Sequence, residues 1–240
     1  DADVFVSYAQ NGEDALLAHV LAGVERGRYV DVGANDPETH SVTRAFYERG
    51  WSGINVEPVA EWHARLVEAR PRDVNLRVAV AQAPGTVTLH EFAGTGLSTL
   101  DPAVAGRHGR AGRESTARTV PALPLAEIFA QHAAGDVHFL KIDVEGAEAS
   151  VLAGADFRRH RPWIVVVEAT EPLTGIPSHA AWEPLLLGAG YRMAHDDGLN
   201  RYYVSDEHAE LAGRFADEAG RPRTMLAAEL VARSPDLTPE

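Results

Sequence analysis

The 240-residue chain contains no cysteine, which excludes disulfides, thiol nucleophiles and zinc–cysteine sites. No apolar run approaches the roughly twenty residues needed to cross a bilayer, so membrane insertion is not expected. Positive charge is scarce: 22 Lys and Arg stand against 35 Asp and Glu, a net charge of -13. Such a surface repels a polyanion, which argues against nucleic-acid binding. The one basic stretch, Arg107 to Arg118 with Arg110, Arg113 and His108, reads as a solvated Gly- and Arg-rich loop or as a surface for an anionic substrate. Repeats and linkers are absent, and nothing at the start resembles a signal peptide, although Asp1 is not a Met; the expectation is a cytoplasmic protein. What remains, 45% hydrophobic and 24% charged residues, is the composition of a globular domain with at most a small appendage. Self-association is left open.

The apolar runs that are present end in acids. Tyr29-Val-Asp-Val-Gly-Ala-Asn-Asp36 is answered by Asn55-Val-Glu57-Pro58 and by Phe139-Leu-Lys-Ile-Asp143-Val-Glu-Gly146. In an open parallel sheet such endings gather at the carboxyl edge, where ligands bind at the point of strand-order reversal. A second absence identifies the ligand class. The G-x-G-x-x-G needed to approach a pyrophosphate is missing; only Gly33 is there, followed by Asn35, Asp36 and Pro37. S-adenosylmethionine has no phosphate, carries a positive sulfonium, and offers two ribose hydroxyls to an acid at the end of the second strand, where Glu57 stands. The alternative is that Asp31 and Glu57 only cap buried strands.

Periodicity gives alternating elements. Leu16, Leu17, Val20, Leu21 and Val24 share a helical face, with Asn11 or Ser7 as its cap. Strands are expected at 29–32, 53–56, 76–80, 86–92, 137–142 and 163–167, and helices at 41–48, 59–69, 125–132, 148–153 and 179–189. Residues 94–113 read as a long loop. Tyr191 to His195 and Arg201 to Ser205 flank Asp196-Asp197-Gly198-Leu199-Asn200, whose Asp-Gly pair is a tight-turn signal, so the last two strands form a hairpin. The expected fold is α/β and Rossmann-like, of the class I methyltransferase plan: a mostly parallel seven-stranded sheet ending in an antiparallel hairpin of its sixth and seventh strands, helices on both faces. A single domain is expected over residues 1–215, with residues 1–28 a helical cap over the cofactor site and 216–240 a tail, helical around Thr224 to Arg233.

Ser7-Tyr-Ala-Gln-Asn-Gly-Glu-Asp14, the Asp31 to Asp36 loop, Ser41 to Trp51, Asn55 to Pro58, Leu97-Ser-Thr99, Lys141-Ile-Asp-Val-Glu-Gly146 and Asp197-Gly-Leu-Asn-Arg-Tyr-Tyr203 together resemble the FkbM-type methyltransferases, over about residues 7–215. The resemblance implies transfer of methyl from S-adenosylmethionine to a hydroxyl oxygen of a sugar or glycosylated acceptor, on a surface polysaccharide or a natural product. A nicotinamide-dependent oxidoreductase of related fold and a non-catalytic nucleoside-binding scaffold are the alternatives. Binding of S-adenosylhomocysteine but not NAD separates the first, and formation of a methylated product the second.

Methyl transfer is an in-line displacement in which positioning supplies much of the rate, helped by a base that accepts the hydroxyl proton. His179, after the Thr174-Gly-Ile-Pro-Ser178 loop, is the first candidate base; His195 beside the hairpin turn, Asp143 and Glu168 follow. Asp143 alternatively meets the methionine end of the cofactor or caps the next helix. Cofactor contacts are expected from Gln10, Glu13, Asp31, Gly33, Asn35, Glu57, Pro58, Val80, Ala81, Ser98 and Asp143, with Thr99 beside Ser98. Acceptor contacts are expected from Glu145, Thr174, Trp182, Asp197 and Asn200. A divalent metal is left open, with Asp143, Glu145, Glu168 and Asp197 as the oxygen ligands that could converge.

Overall fold

A computed structural model describes residues 4–233. It opens with β1 (Val4–Ser7) and α1 (Glu13–Val20), followed by β2 (Arg28–Val32), α2 (Arg44–Glu48), β3 (Ser52–Val56), α3 (Ala60–Ala69) and β4 (Val74–Leu76). An excursion comes next: β5 (Ala79–Val80), β6 (Gly85–Glu91), α4 (Pro102–Arg110) and β7 (Thr116–Leu123). The α/β alternation resumes with α5 (Leu125–His132), β8 (Phe139–Ile142), α6 (Glu148–Ala153) and β9 (Ile164–Glu168). The chain then runs through α7 (Glu183–Leu187), β10 (Tyr191–Asp196), β11 (Asn200–Ser205), α8 (Leu211–Ala216), β12 (Arg223–Leu226) and α9 (Ala227–Arg233).

The seven-stranded sheet has the order β10-β11-β9-β8-β2-β3-β4. β11 alone runs antiparallel to its neighbours, inserted between β9 and β10. This is the expected fold, with the hairpin where the Asp-Gly turn puts it. The order reverses between β2 and β8, so the crevice at their carboxyl ends is the natural ligand position.

Strands covered on both faces read as continuous apolar runs, and alternate residues feed two cores. Val30, Val32, Leu140, Ile142, Val165 and Val167 pack with Leu125, Ile128, Val151, Leu152 and Leu186. Tyr29, Phe139, Ile164 and Val166 face Leu17, Val20, Phe46, Trp51 and Phe215 on the other side. Burying some ten large side chains per face, each contributing about 1.5–3 kcal/mol, fixes the sheet between its helices.

Several local expectations differ from the structure. The third strand divides: Val74–Leu76 stays in the main sheet, while Ala79–Val80 leaves to pair with β7 in a three-stranded sheet of order β5-β7-β6. β7 was not expected, and the presumed loop at 94–113 contains α4, started by Pro102 and capped by Asp101, whose Oδ1 accepts from the Ala103 and Val104 N–H groups. The cap of α1 is neither Asn11 nor Ser7 but Gly12, at φ 75°. The expected helix at 179–189 is a 3₁₀ turn followed by α7. Around Thr224 the chain is strand before it is helix, and β12 runs parallel to β1, so part of the 1–28 segment is sheet as well.

Candidate active site

Two contiguous hollows open at the carboxyl ends of β2, β3, β8 and β9, sharing Gly33, Asn35, Gly96, Asp143 and Glu145 as common wall. The smaller, about 550 Å³, is walled by apolar groups, among them Val56, Val59, Trp62, Val80, Leu89 and Leu100. Glu57 and Pro58 close its floor, and Ser98 its rim. The larger, about 1310 Å³, is lined by Asp31, Lys141, Asp143, Glu145 and Glu168, with Gln10, His40, Leu173 and Thr174 at its mouth. The excursion supplies part of the roof. Thr99 Oγ1 donates to the Glu145 carbonyl (2.7 Å), and Arg107 on α4 pairs with Glu171 beyond β9 (3.8 Å).

The turn after β2 explains Gly33. At φ 80° it occupies the left-handed region, and a Cβ there would stand 1.8 Å from the Asp143 carbonyl oxygen. The glycine thus lets the β2 and β8 turns close on one another, a closer approach than a side chain allows. Asn35 follows at φ 52° and Glu145 at φ 53°, so both turns hold non-glycine residues in the sparsely populated region, as loops at ligand sites often do.

Glu57 is 5% exposed. Its Oε2 accepts from the Asn35 N–H (2.8 Å) and its Oε1 from the Val59 N–H (2.9 Å). No basic side chain joins these bonds. A carboxylate offers about four acceptor positions, so each oxygen keeps one. Burial pushes Glu57 up to about 7, against the opposing pull of the two amides. Burial likewise raises Asp31 to about 6, with Lys141 opposing.

Lys141 is the only lysine in the chain. It lies opposite Asp31 in the β2–β8 register and its Nζ is 3.5 Å from Asp143 Oδ2. Burial works against its charge, but the surrounding Asp143, Glu13, Asp31 and Glu168 carboxylates hold it firmly protonated. In turn, burial disfavours the Asp143 anion, yet Lys141 keeps that carboxyl below the ordinary range. Burial and then the Asp143 charge push Glu168 up to about 11, and Glu145 rises to about 8 by burial, Asp143 and Glu148. Asp143 does not cap α6: Glu148 Oε1 receives the Val144 and Gly146 N–H groups instead.

Of the residues picked from sequence, the structure gathers Gln10, Asp31, Gly33, Asn35, Glu57, Pro58, Val80, Ser98, Asp143, Glu145, Glu168 and Thr174 along the two hollows. Others lie elsewhere. Trp182 is 1% exposed and packs its ring against Tyr203 in the core, so it is not on an acceptor surface. Asn200 is buried, its Nδ2 donating to Glu13 Oε1 (2.9 Å), while Glu13 Oε2 accepts from the Asn11 N–H (2.8 Å); the pair fastens the amino-terminal segment to the hairpin rather than touching either hollow. The Asp197 carboxylate is consumed by its own turn, accepting from the Leu199 and Asn200 N–H groups and the Tyr202 hydroxyl, and it does not join the other acids. His195 and Asp197 line a separate cleft with Arg221 and Tyr202. Ala81 and His179 line neither hollow, though His179 Nδ1 is buried without a partner. Sequence reasoning missed His40, on the wall of the larger hollow at φ 55°; its only advance signal was its place after the Asp36-Pro37 turn.

The sheet order and the acid-ended crevice define the class, a Rossmann-like α/β protein with the methyltransferase strand arrangement. Residues 31–193 match the methyltransferase FkbM domain, and the chain belongs to the FkbM methyltransferase family. No curated protein matches the sequence. Among solved structures it is similar to CalO1, a methyltransferase in calicheamicin biosynthesis in its SAH-bound form, at 16% identity over 81% of this chain and 54% of that one, TM-score 0.36. YjhP from E. coli gives 12% identity over 97% and 80%, TM-score 0.34. A SAM-dependent methyltransferase from Geobacter sulfurreducens, in complex with S-adenosyl-L-homocysteine, gives 13% over 98% and 80%, TM-score 0.36. This chain therefore spans about half the length of CalO1.

Proposed function

We propose that the protein is an S-adenosylmethionine-dependent O-methyltransferase acting on a hydroxyl of a sugar or glycosylated small molecule. The observation that carries this reading is Glu57: a buried carboxylate at the tip of β3, both oxygens steadied by backbone amides, at the floor of an apolar hollow. A diol that donates two hydrogen bonds satisfies it, and the flat apolar wall of Val59, Trp62, Val80 and Leu89 suits a purine. A dinucleotide fits poorly, since Asp143 and Glu145 line the same hollow and the Asp143 carboxylate repels a pyrophosphate. The same acids favour the positive end of the methionine moiety.

Bound there, S-adenosylmethionine supplies an electrophilic methyl on sulfur. Glu57 fixes the ribose, Asp31 and the Gly33 turn take the amino-acid end, and Asp143 sits on the wall common to both hollows. The acceptor enters the larger hollow, where Asp143, Glu145 and Glu168 orient its O–H and Leu173 and Thr174 border its body. Positioning of this kind supplies up to about 7–11 kcal/mol of barrier reduction. The test is calorimetric titration with S-adenosylhomocysteine and with NAD, followed by labelled-methyl transfer to a panel of glycosides. Heat with the first ligand alone, and label on a sugar oxygen, are expected; binding of NAD instead, or label on nitrogen, sinks the reading.

A further inference from the structure

We propose that Asp143, Glu145 and Glu168 form a divalent-cation site, of the hard oxygen-ligand class suited to magnesium or manganese, at the floor of the larger hollow. Each of the three offers a carboxylate oxygen, and these oxygens all lie within 4.8 Å of one another. Oxygens bound to one cation at about 2.1 to 2.4 Å are separated by at most about 4.2 to 4.8 Å, so the three are close enough for one ion to gather after small side-chain rotations.

A second observation points to a ligand. Glu168 is 9% exposed, and its Oε2 has neither solvent nor a hydrogen-bond partner. Asp143 is in the same state at Oδ1, because Lys141 engages Oδ2. Such an oxygen is costly to leave bare: in the free protein Glu168 keeps its proton and shares it with the Asp143 carboxylate, and a divalent cation would take that proton's place. The residues also come from different elements, the β8 turn and the tip of β9, which a substrate-bearing cation would tie together.

The site would act by holding the acceptor oxygen and lowering the pKa of its hydroxyl, as metal ions do for bound water. The hydroxyl proton leaves to water at the open mouth, an oxygen lone pair forms the new C–O bond, and the C–S pair stays on sulfur. This chemistry rests on the proposed methyltransferase reading; the binding does not.

The test uses EDTA-treated protein titrated with MnCl2 alone, read by electron paramagnetic resonance, and with MgCl2 by calorimetry, alongside S-adenosylhomocysteine titration of the same samples. One Mn2+ per chain is expected. Glu168→Gln, which preserves shape, should weaken it at least about tenfold while S-adenosylhomocysteine binds within a few fold of wild type. Loss of turnover in EDTA and recovery with MgCl2 should accompany this. Failure of the wild-type protein to bind Mn2+, or binding indifferent to both Glu168→Gln and Glu145→Gln, overturns the site. Mn2+ binding without S-adenosylhomocysteine binding leaves the site and overturns the proposed function instead.

Discussion

The two hollows share a wall and differ in nearly everything else. In the smaller one, the acid is steadied in advance: Glu57 already holds two backbone amides, one on each oxygen, and apolar side chains surround it. In the larger, the acids meet chiefly one another: Asp143 and Glu168 share a proton, and their buried oxygens find no donor from another residue among the described residues. A pocket whose polar groups are steadied in advance suits a ligand that never changes, since little must be reorganised on binding. A pocket with unmet charge suits chemistry, where a partner arrives only with the reaction. On the proposed function, the difference assigns constancy to the nucleoside side and variability to the acceptor side.

The sharpest way to break this comparison is to damage the shared wall. Gly33→Val should destabilise the fold by more than about 3 kcal/mol in urea denaturation, through a positive φ and an impossible contact with the Asp143 carbonyl, and both hollows should fail together. A loss under about 1 kcal/mol, within the range of ordinary surface changes, would mean that the two turns do not meet as described. Next, Glu57→Gln should lower S-adenosylhomocysteine affinity about 10- to 100-fold, the value of charge-assisted hydrogen bonds, and leave manganese binding alone. If manganese binding falls as well, the hollows are not separable.

A pH series sharpens the same point. Glu57 is raised to about 7 chiefly by burial, so the folded protein holds it neutral below that pH and charged above. The diol needs the anion. S-adenosylhomocysteine affinity should therefore rise about tenfold from pH 6 to 8, as one titrating group implies, and Glu57→Gln should flatten the profile. Smaller effects belong to the rims. Ser98 Oγ accepts from the Phe92 N–H (3.1 Å), and Ser98→Ala should weaken S-adenosylhomocysteine about three- to tenfold by loosening that loop. Leu173 is 62% exposed at the mouth of the larger hollow; Leu173→Ala should raise the acceptor KM a few fold, on the scale of partly buried apolar area, with nucleoside affinity unchanged.

Much of this was legible in the residues because parallel strands are short, apolar and punctuated. Asp31, Glu57, Asp143 and Glu168 each sit at or just past the end of an apolar run, and the sheet brings all four to one edge. The hairpin was legible from Asp197-Gly198. The excursion was not: β7 reads Thr-Ala-Arg-Thr-Val-Pro-Ala-Leu, a partly polar strand with a proline, tolerated because β5 pairs only with Ala122 and Leu123 and leaves Pro121 an open edge on that side. Trp182 illustrates the opposite error, an aromatic near a loop taken for a contact surface when its bulk fills the core. His179 and His195 were chosen by chain neighbourhood, and a loop can carry a residue many ångströms from its neighbours' destination. The unmet oxygens of Asp143 and Glu168 depend on where Lys141 reaches, which no pattern in one dimension specifies.

The pairing of β1 with β12 joins residues 4–7 to residues 223–226, stretches at opposite ends of the described chain. Closing so long a loop is entropically slow, and contacts of this span form late. During synthesis the central strands, with the acids at their tips, are therefore assembled before the amino-terminal segment is clasped in place. Phe5, buried against Ala15 and Ala45, is covered by α1 and α2, so what comes late is the strand pairing and not the cover of this side chain. Until then the chain has its acid-ended crevice but not the clasp that joins its two distant stretches.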